Sequence, residues 1–354
     1  MFCNGRSKEM LKVVVIGCGR IGAFTVRNPE DNVSEMFYPI NHCEAIRAIE
    51  GIQLIAVCDL NFELAEKAAK LHKVENIYSD YKKMIIEQRP DIVSIATRIE
   101  GKTKIIAYAS EHGVKGLHIE KPLSDNLYES IDALKSIERN GIAISYGTVR
   151  RYTPVFRQAK RLLDSRKFGS IKEIIVATPE VQLMWSHPHS IDLLTYFTNN
   201  SKIDYIEALF DHQLPATFDD RIDFDPIIKF GLVKFENGIF TIKTNTNESC
   251  LKILCEFGEI MIDLNGNYLK TKSNNGEITN IKVEEGPSGR CSAMAELRDY
   301  INYKHPTTIT TKEILNEQKI ILALGLAGIR RNKTKLSDLQ DKFTITGRFG
   351  HLFP

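Results

Sequence analysis

One short stretch restricts the fold more than any other. Residues 12–16 read Lys-Val-Val-Val-Ile and run directly into Gly17-Cys18-Gly19-Arg20-Ile21-Gly22, a G-x-G-x-x-G turn behind a β-branched strand. Each glycine meets a separate steric demand. The first makes a tight turn, the second lets backbone approach a pyrophosphate, and the third lets a helix pack on the strand. The same turn occurs in α/β proteins that bind no nucleotide, so alone it is weak. A second apolar run, 53–58, ends in Asp59, an acid placed to accept from the hydroxyls of an adenosine ribose. Strand, turn and acid together predict a dinucleotide site built from Gly17, Gly19, Arg20, Ile21, Gly22 and Asp59. Asp59 would repel a 2′-phosphate, and Leu60 and Asn61 supply no arginine to hold one, so NAD(H) is expected rather than NADP(H). The bland reading of Asp59 is the N-cap of a helix beginning near Phe62.

The runs that follow alternate. Strand-like stretches at 91–96, 115–119 and 142–146 are separated by helical spacing at 62–72, 103–112 and 128–140. Such alternation predicts β-α-β units and a parallel sheet. After Gly147 the pattern changes. A helix is expected at 154–166. From Ser170 onward strand patterns follow one another without helices, with alternating stretches at 227–234, 238–246, 251–256 and 259–264. Two helices, 293–302 and 311–329, close the chain. The expected fold class is therefore α/β: an N-terminal Rossmann domain over 1–150, and over 151–354 an α+β domain with a large, mostly antiparallel open sheet. Its open face would be wet or would join subunits into a homodimer or homotetramer.

One spacing departs from the usual pattern. Asp59 follows Gly22 by 37 positions rather than about 20. The excess lies at 23–41, which holds Phe37 and Tyr38 in loop-forming sequence, with a crossover helix expected over 42–50. A surface excursion is the plain reading; a lid over the cofactor or substrate is the sharper one.

The fourth strand ends in Glu120-Lys121-Pro122-Leu123. Ligands of open α/β sheets bind at such carboxyl ends. A buried lysine amine there can exchange a proton with a substrate hydroxyl, and Pro122 allows a cis bond. The glycine turn, Asp59, Ala96-Thr97, Glu120-Lys121-Pro122 and the later sheet, in that order, resemble the glucose-fructose oxidoreductase / inositol dehydrogenase / rhizopine catabolism (Gfo/Idh/MocA) family over roughly 11–330. The resemblance implies that Ala96, Thr97, Glu120 and Lys121 complete the cofactor contacts and that Lys121 touches substrate and nicotinamide. It also implies a sheet domain that assembles subunits.

That family often carries Asp-x-Gly-x-His-x-x-Asp at a helix start in its second domain. Here the matching stretch is Trp185-Ser186-His187-Pro188-His189-Ser190-Ile191-Asp192. By resemblance His189 inherits a proton-transfer or substrate role and Asp192 a substrate role. Trp185 replaces the first acid and His187 the glycine. Trp185 would wall the pocket against a sugar ring, or His187 would stand in for the missing acid. The plain reading of His189 is a packed helix-start histidine. Arg150 and Arg151 follow the last Rossmann strand and could hold a substrate carboxylate or phosphate, or serve structural ion pairs. The family often has Pro-Asn after Ala96-Thr97 and a histidine slightly later, whereas this chain has Arg98-Ile99 and Lys102. A metal is not expected, since His187 and His189 lack a third ligand.

Composition excludes several other classes. A net charge of +2 over 354 residues gives no bulk field for nucleic acid. No apolar run reaches the roughly 18–20 residues of a membrane span. Residues 1–9 are polar, unlike a signal peptide. Seven scattered cysteines, none spaced C-x-x-C, read as reduced thiols of a cytoplasmic protein. The expected activity is NAD-dependent hydride transfer at a secondary alcohol or ketone of a sugar, polyol or sugar derivative. The alternatives are a non-catalytic NAD-binding regulator, or a lyase or hydrolase that recycles its NAD. A methyltransferase with a similar glycine turn is disfavoured by Glu120-Lys121-Pro122.

Overall fold

The computed structural model describes residues 10–28, 33–211, 221–244 and 248–346. The polar segment 1–9, part of the 23–41 insertion, and the end of the strand expected to reach 246 lie outside these. A first sheet contains β1 (Leu11–Ile16), β2 (Ile52–Cys58), β3 (Asn76–Tyr78), β4 (Ile92–Ile95), β5 (Gly116–Ile119) and β6 (Ala143–Tyr146) in the order β3-β2-β1-β4-β5-β6. All its pairings are parallel. Val13, Val14 and Val15 are all fully buried, because helices cover both faces; this is why the strand reads as a continuous apolar run. The order reverses between β1 and β4, which opens a crevice at their carboxyl ends.

Helices α1 (His42–Arg47), α2 (Phe62–His72), α3 (Tyr81–Gln88), α4 (Lys102–Glu111) and α5 (Leu127–Arg139) connect these strands. Four of them start on a side chain that accepts a backbone N–H: Asn41, Asn61, Asp80 and Asn126. The cap of α2 is thus Asn61, not Asp59. The crossover helix stops at Arg47, short of the expected 50. No full helix follows the glycine turn; Arg20–Phe24 is a five-residue π-helical turn.

Beyond α6 (Pro154–Asp164) lies a second sheet. It contains β7 (Ile171–Ala177), β8 (Ile203–Phe210), β10 (Ile228–Phe235), β11 (Gly238–Lys243), β12 (Cys250–Cys255), β13 (Gly258–Asp263), β14 (Leu269–Ser273) and β15 (Ile278–Ile281). Its order is β15-β14-β13-β12-β7-β11-β10-β8, antiparallel except where β7 meets β11. A short pair, β9 (Arg221–Ile222) with β16 (Thr344–Ile345), stands apart. The absence of helices expected after Ser170 is corrected: α7 (Leu183–Ser186) and α8 (Pro188–Phe197) intervene between β7 and β8. Their buried Leu183, Met184, Ile191, Leu193 and Leu194 join Ile174, Val176, Phe240 and Ile253 of the sheet in one core. The opposite face carries half-buried Ile175, Lys252 and Met261 in neighbouring strands.

The last two long helices are α9 (Gly289–Tyr303) and α10 (Thr311–Arg330). α10 covers the second sheet. α9 instead returns to the first: Cys291, Met294 and Leu297 join the core of β1 and β2, and Ala293 joins that of β4 and β5. A Cβ on Gly289 would lie 2.2 Å from the Val149 carbonyl oxygen, so only glycine allows this approach. Packing therefore does not divide the chain at residue 150; the first unit is completed from sequence near 290.

Candidate active site

The glycine turn divides its work as the sequence suggests. Gly17 has φ +96°, and Gly17 N–H donates to Cys58 O at 2.8 Å. A Cβ on Gly22 would lie 1.9 Å from Gly17 O, whereas one on Gly19 would meet nothing within 4 Å. Gly19 is the open position, where a ligand's phosphates can reach backbone. Ala96 lies against Gly17: a Cβ there would sit 2.8 Å from the Ala96 carbonyl carbon. Beside it the Thr97 hydroxyl is buried without a hydrogen-bond partner. Arg20 is exposed and Ile21 half-buried in the π-helical turn. Asp59 accepts from Cys18 N–H at 2.7 Å and Asn61 N–H at 2.9 Å, which ties the ends of β1 and β2 together. It remains half-exposed, with lone pairs to spare. These residues fit a dinucleotide.

The insertion reaches across to the second sheet. Ser34 N–H donates to Asn265 O at 2.8 Å, Met36 and Phe37 pack on the second-domain core, and Ser288 Oγ donates to Pro39 O at 3.1 Å. It is a docked strap, and Tyr38–Pro39 is cis.

Lys121 leaves β5 through a cis bond to Pro122. Its Nζ donates to Trp185 O at 2.6 Å and lies 4.3 Å from the centre of the Trp185 ring. Burial, with help from Arg150 and Arg290 and against the pull of Glu120, lowers its amine to about 8. Glu120 points inward instead. Arg290 Nη2 lies 2.6 Å from Glu120 Oε1, and Arg290 Nη1 lies 2.8 Å from both His42 Nε2 and His118 Nε2. Accepting from the guanidinium requires both Nε2 atoms to be bare. Each Nδ1 then carries the hydrogen and donates to serine, His42 to Ser94 at 2.6 Å and His118 to Ser145 at 2.8 Å. The approach of His42 Nε2 to Glu120 Oε1, 3.3 Å, is then a contact between acceptors that Arg290 bridges. Burial and Arg290 lower His42 to about 4. Burial raises Glu120, but the Arg290 guanidinium outweighs it and holds the carboxylate well below its usual range. His42, His118 and Glu120 offer ligand atoms within 4.8 Å of one another, a spacing that suits a metal. Here the guanidinium takes the cation's place. Glu120 is thus a buried counter-ion, where the sequence suggested a cofactor contact. Lys102 is buried too, donating to Glu120 O at 2.7 Å and Pro122 O at 2.6 Å, and burial lowers it to about 7.

Helix α8 supplies the facing wall. His189 is half-buried at its first turn, its Nδ1 without a partner, and burial with Lys121 and Arg150 nearby keeps it neutral. His187 is fully buried; its Nδ1 is 3.2 Å from Ser190 Oγ and its Nε2 has no partner. Trp185 is 46% exposed, its ring beside Lys121 Nζ. Arg150 donates to Leu264 O at 3.1 Å and Asn265 Oδ1 at 3.2 Å. The structure thus brings Lys121, Trp185, His187, His189 and Arg150 together. It does not bring Arg151 or Asp192. Both are fully buried, joined at 2.7 Å, with Arg151 also on Glu313 and Glu317 and Asp192 on Thr148. Their charges are spent on each other in the core, so neither reaches a substrate. The sequence reading missed Arg290, His42 and His118; the Arg290–His42 contact spans 248 positions, and no local spacing signals it.

Residues 11–148 match a family described as an oxidoreductase family with an NAD-binding Rossmann fold. The oxidoreductase YrbE of Bacillus subtilis is 23% identical over 248 residues, 66% of this chain and 67% of that protein. An NAD(+)-dependent scyllo-inositol 2-dehydrogenase of the same organism is 26% identical over 162 residues, 46% of this chain but 42% of that enzyme. The crystal structure of scyllo-inositol dehydrogenase from Lactobacillus casei, with NAD(H) and scyllo-inositol bound, superposes with a TM-score of 0.71 at 18% identity, covering 93% of this chain and all of that one.

Proposed function

Residues 11–148 belong to the NAD-binding Rossmann fold of the Gfo/Idh/MocA oxidoreductases, and on that premise we propose that the whole chain interconverts a secondary alcohol and ketone of a sugar, polyol or sugar derivative. One observation carries the reading. Lys121, its amine lowered to about 8, stands at the carboxyl end of β5, bonded to Trp185 just ahead of the histidines at the start of α8. Relatives named for scyllo-inositol and D-apiose support the substrate class. Asp59 supports NAD over NADP. NAD, bound along Gly17–Gly22 and Asp59, supplies the hydride acceptor. Lys121 takes the carbinol proton, His189 assists from the facing wall, and Trp185 gives a flat surface for the sugar ring. Subunits join through the open face of the second sheet as dimers or tetramers, and the protein works in the cytoplasm. Among the described residues no helix is long and apolar enough to cross a membrane.

Oxidation needs the neutral amine, so its turnover should rise with pH through about 8, while ketone reduction, which needs the ammonium, should fall. Lys121→Ala should lower turnover about 10²–10⁴-fold and remove that limb. NADH affinity, read by fluorescence titration, should change little. Comparable turnover in the variant would sink the assignment. NADH binding without hydride transfer to any sugar would point to a regulator, and solvent deuterium in product without net NADH to an NAD-recycling lyase or hydrolase.

A further inference from the structure

We propose that the substrate carries a carboxylate, seated against Arg150 while its reacting carbinol faces Lys121. The inference rests on the oxidoreductase reading above and names the substrate class of the same site.

The argument is one of charge. The Lys121 ammonium is bonded to Trp185 O, and the Arg150 guanidinium to Leu264 O and Asn265 Oδ1, all neutral oxygens. Among the described residues, the main carboxylates acting on these cations hold other hydrogen-bond partners. Glu120 is paired with Arg290. Asp225 accepts from Met184 N–H at 2.7 Å and Trp185 N–H at 2.9 Å. Asp192 is paired with Arg151. Asp263 accepts from the N–H groups of Asn265 and Gly266. Among the described residues, two half-buried cations therefore share a wall without a hydrogen-bonded counter-ion, a costly arrangement. An oxidised nicotinamide would add a third positive charge.

The polar inventory agrees. His187 Nε2 and His189 Nδ1 are buried with no partner. A neutral imidazole can turn an N–H toward an acceptor. The wall is rich in donors and poor in acceptors. Hydroxyls alone would satisfy the donors and leave the charge. When Lys121 is deprotonated to act as base, Arg150 and the oxidised nicotinamide remain positive. A carboxylate brings one negative charge and pairs with Arg150; a phosphate monoester, at about −1.5 to −2, is the competing anion that the test separates.

The test uses the full-length protein with NAD⁺ and five- and six-carbon aldonates and uronates, the matching amides, and the matching sugar phosphates. At least one acid should exceed its amide by about 10-fold or more in kcat/KM. Arg150→Gln should erase that preference chiefly through KM, and Arg150→Lys should restore part of it. Should Arg150→Gln fold poorly, the unmodified NADH complex gives a second readout: the acid should raise its Tm and the amide should not. Equal rates for acid and amide, or a preference for phosphate, would overturn the carboxylate while leaving the oxidoreductase reading intact. No turnover of any compound despite NADH binding would overturn both.

Discussion

Arg290 illustrates what a single residue can hide. It enters from a helix near the end of the chain and neutralises Glu120, next to Lys121. Removing it leaves a buried carboxylate without a counter-ion. Arg290→Met should therefore cost about 3–5 kcal/mol in urea unfolding. Adding Glu120→Gln should recover part of the loss, because the two changes act on one pair. Strict additivity would refute the pairing. Such a network was illegible in the sequence, because its members lie far apart along the chain. Lys121 was legible, since the motif and the strand end both point to it. Arg150 and Arg151 show the limit between these cases. They are adjacent and chemically alike, yet Arg150 is half-buried and bonded to Leu264 and Asn265, whereas Arg151 is fully buried on Asp192. Only tertiary packing decides that.

At the scale of elements, β-branched runs alternating with helical spacing made most of the first sheet readable. β3, only three residues, and α3, eight residues with Met84 and Ile85 buried, escaped because neither is long enough to carry a clear period. α7 and α8 escaped because the motif at 185–192 marks a helix start but not its length. The glycine turn gives the sharpest test at this scale. Gly19→Ala meets open space, so thermal stability should hold while NADH affinity falls. Gly22→Ala drives a methyl into the Gly17 carbonyl, so stability itself should fall. Thermal melts and NADH titrations of both variants check the pair. Equal loss of stability in the two would contradict the division of labour.

Across the whole molecule, the two-sheet architecture followed from the change in pattern near residue 147, but the return of α9 did not. Sequence order suggests a division at 150; packing places Cys291, Met294 and Leu297 in the first core. A fragment of residues 1–150 lacks those side chains and the partner of Glu120. It should show weak near-ultraviolet circular dichroism and bind NADH far less tightly than the full chain. A fragment as stable as the intact protein would refute this. The same return sets the order of events on the ribosome. β6 ends at Tyr146 and α9 begins at Gly289, so about 140 residues must be made between them. At roughly 5–20 residues per second, the nucleotide half emerges on the order of ten seconds before the helix that completes it. Its exposed apolar seam is there for a chaperone to hold during that interval.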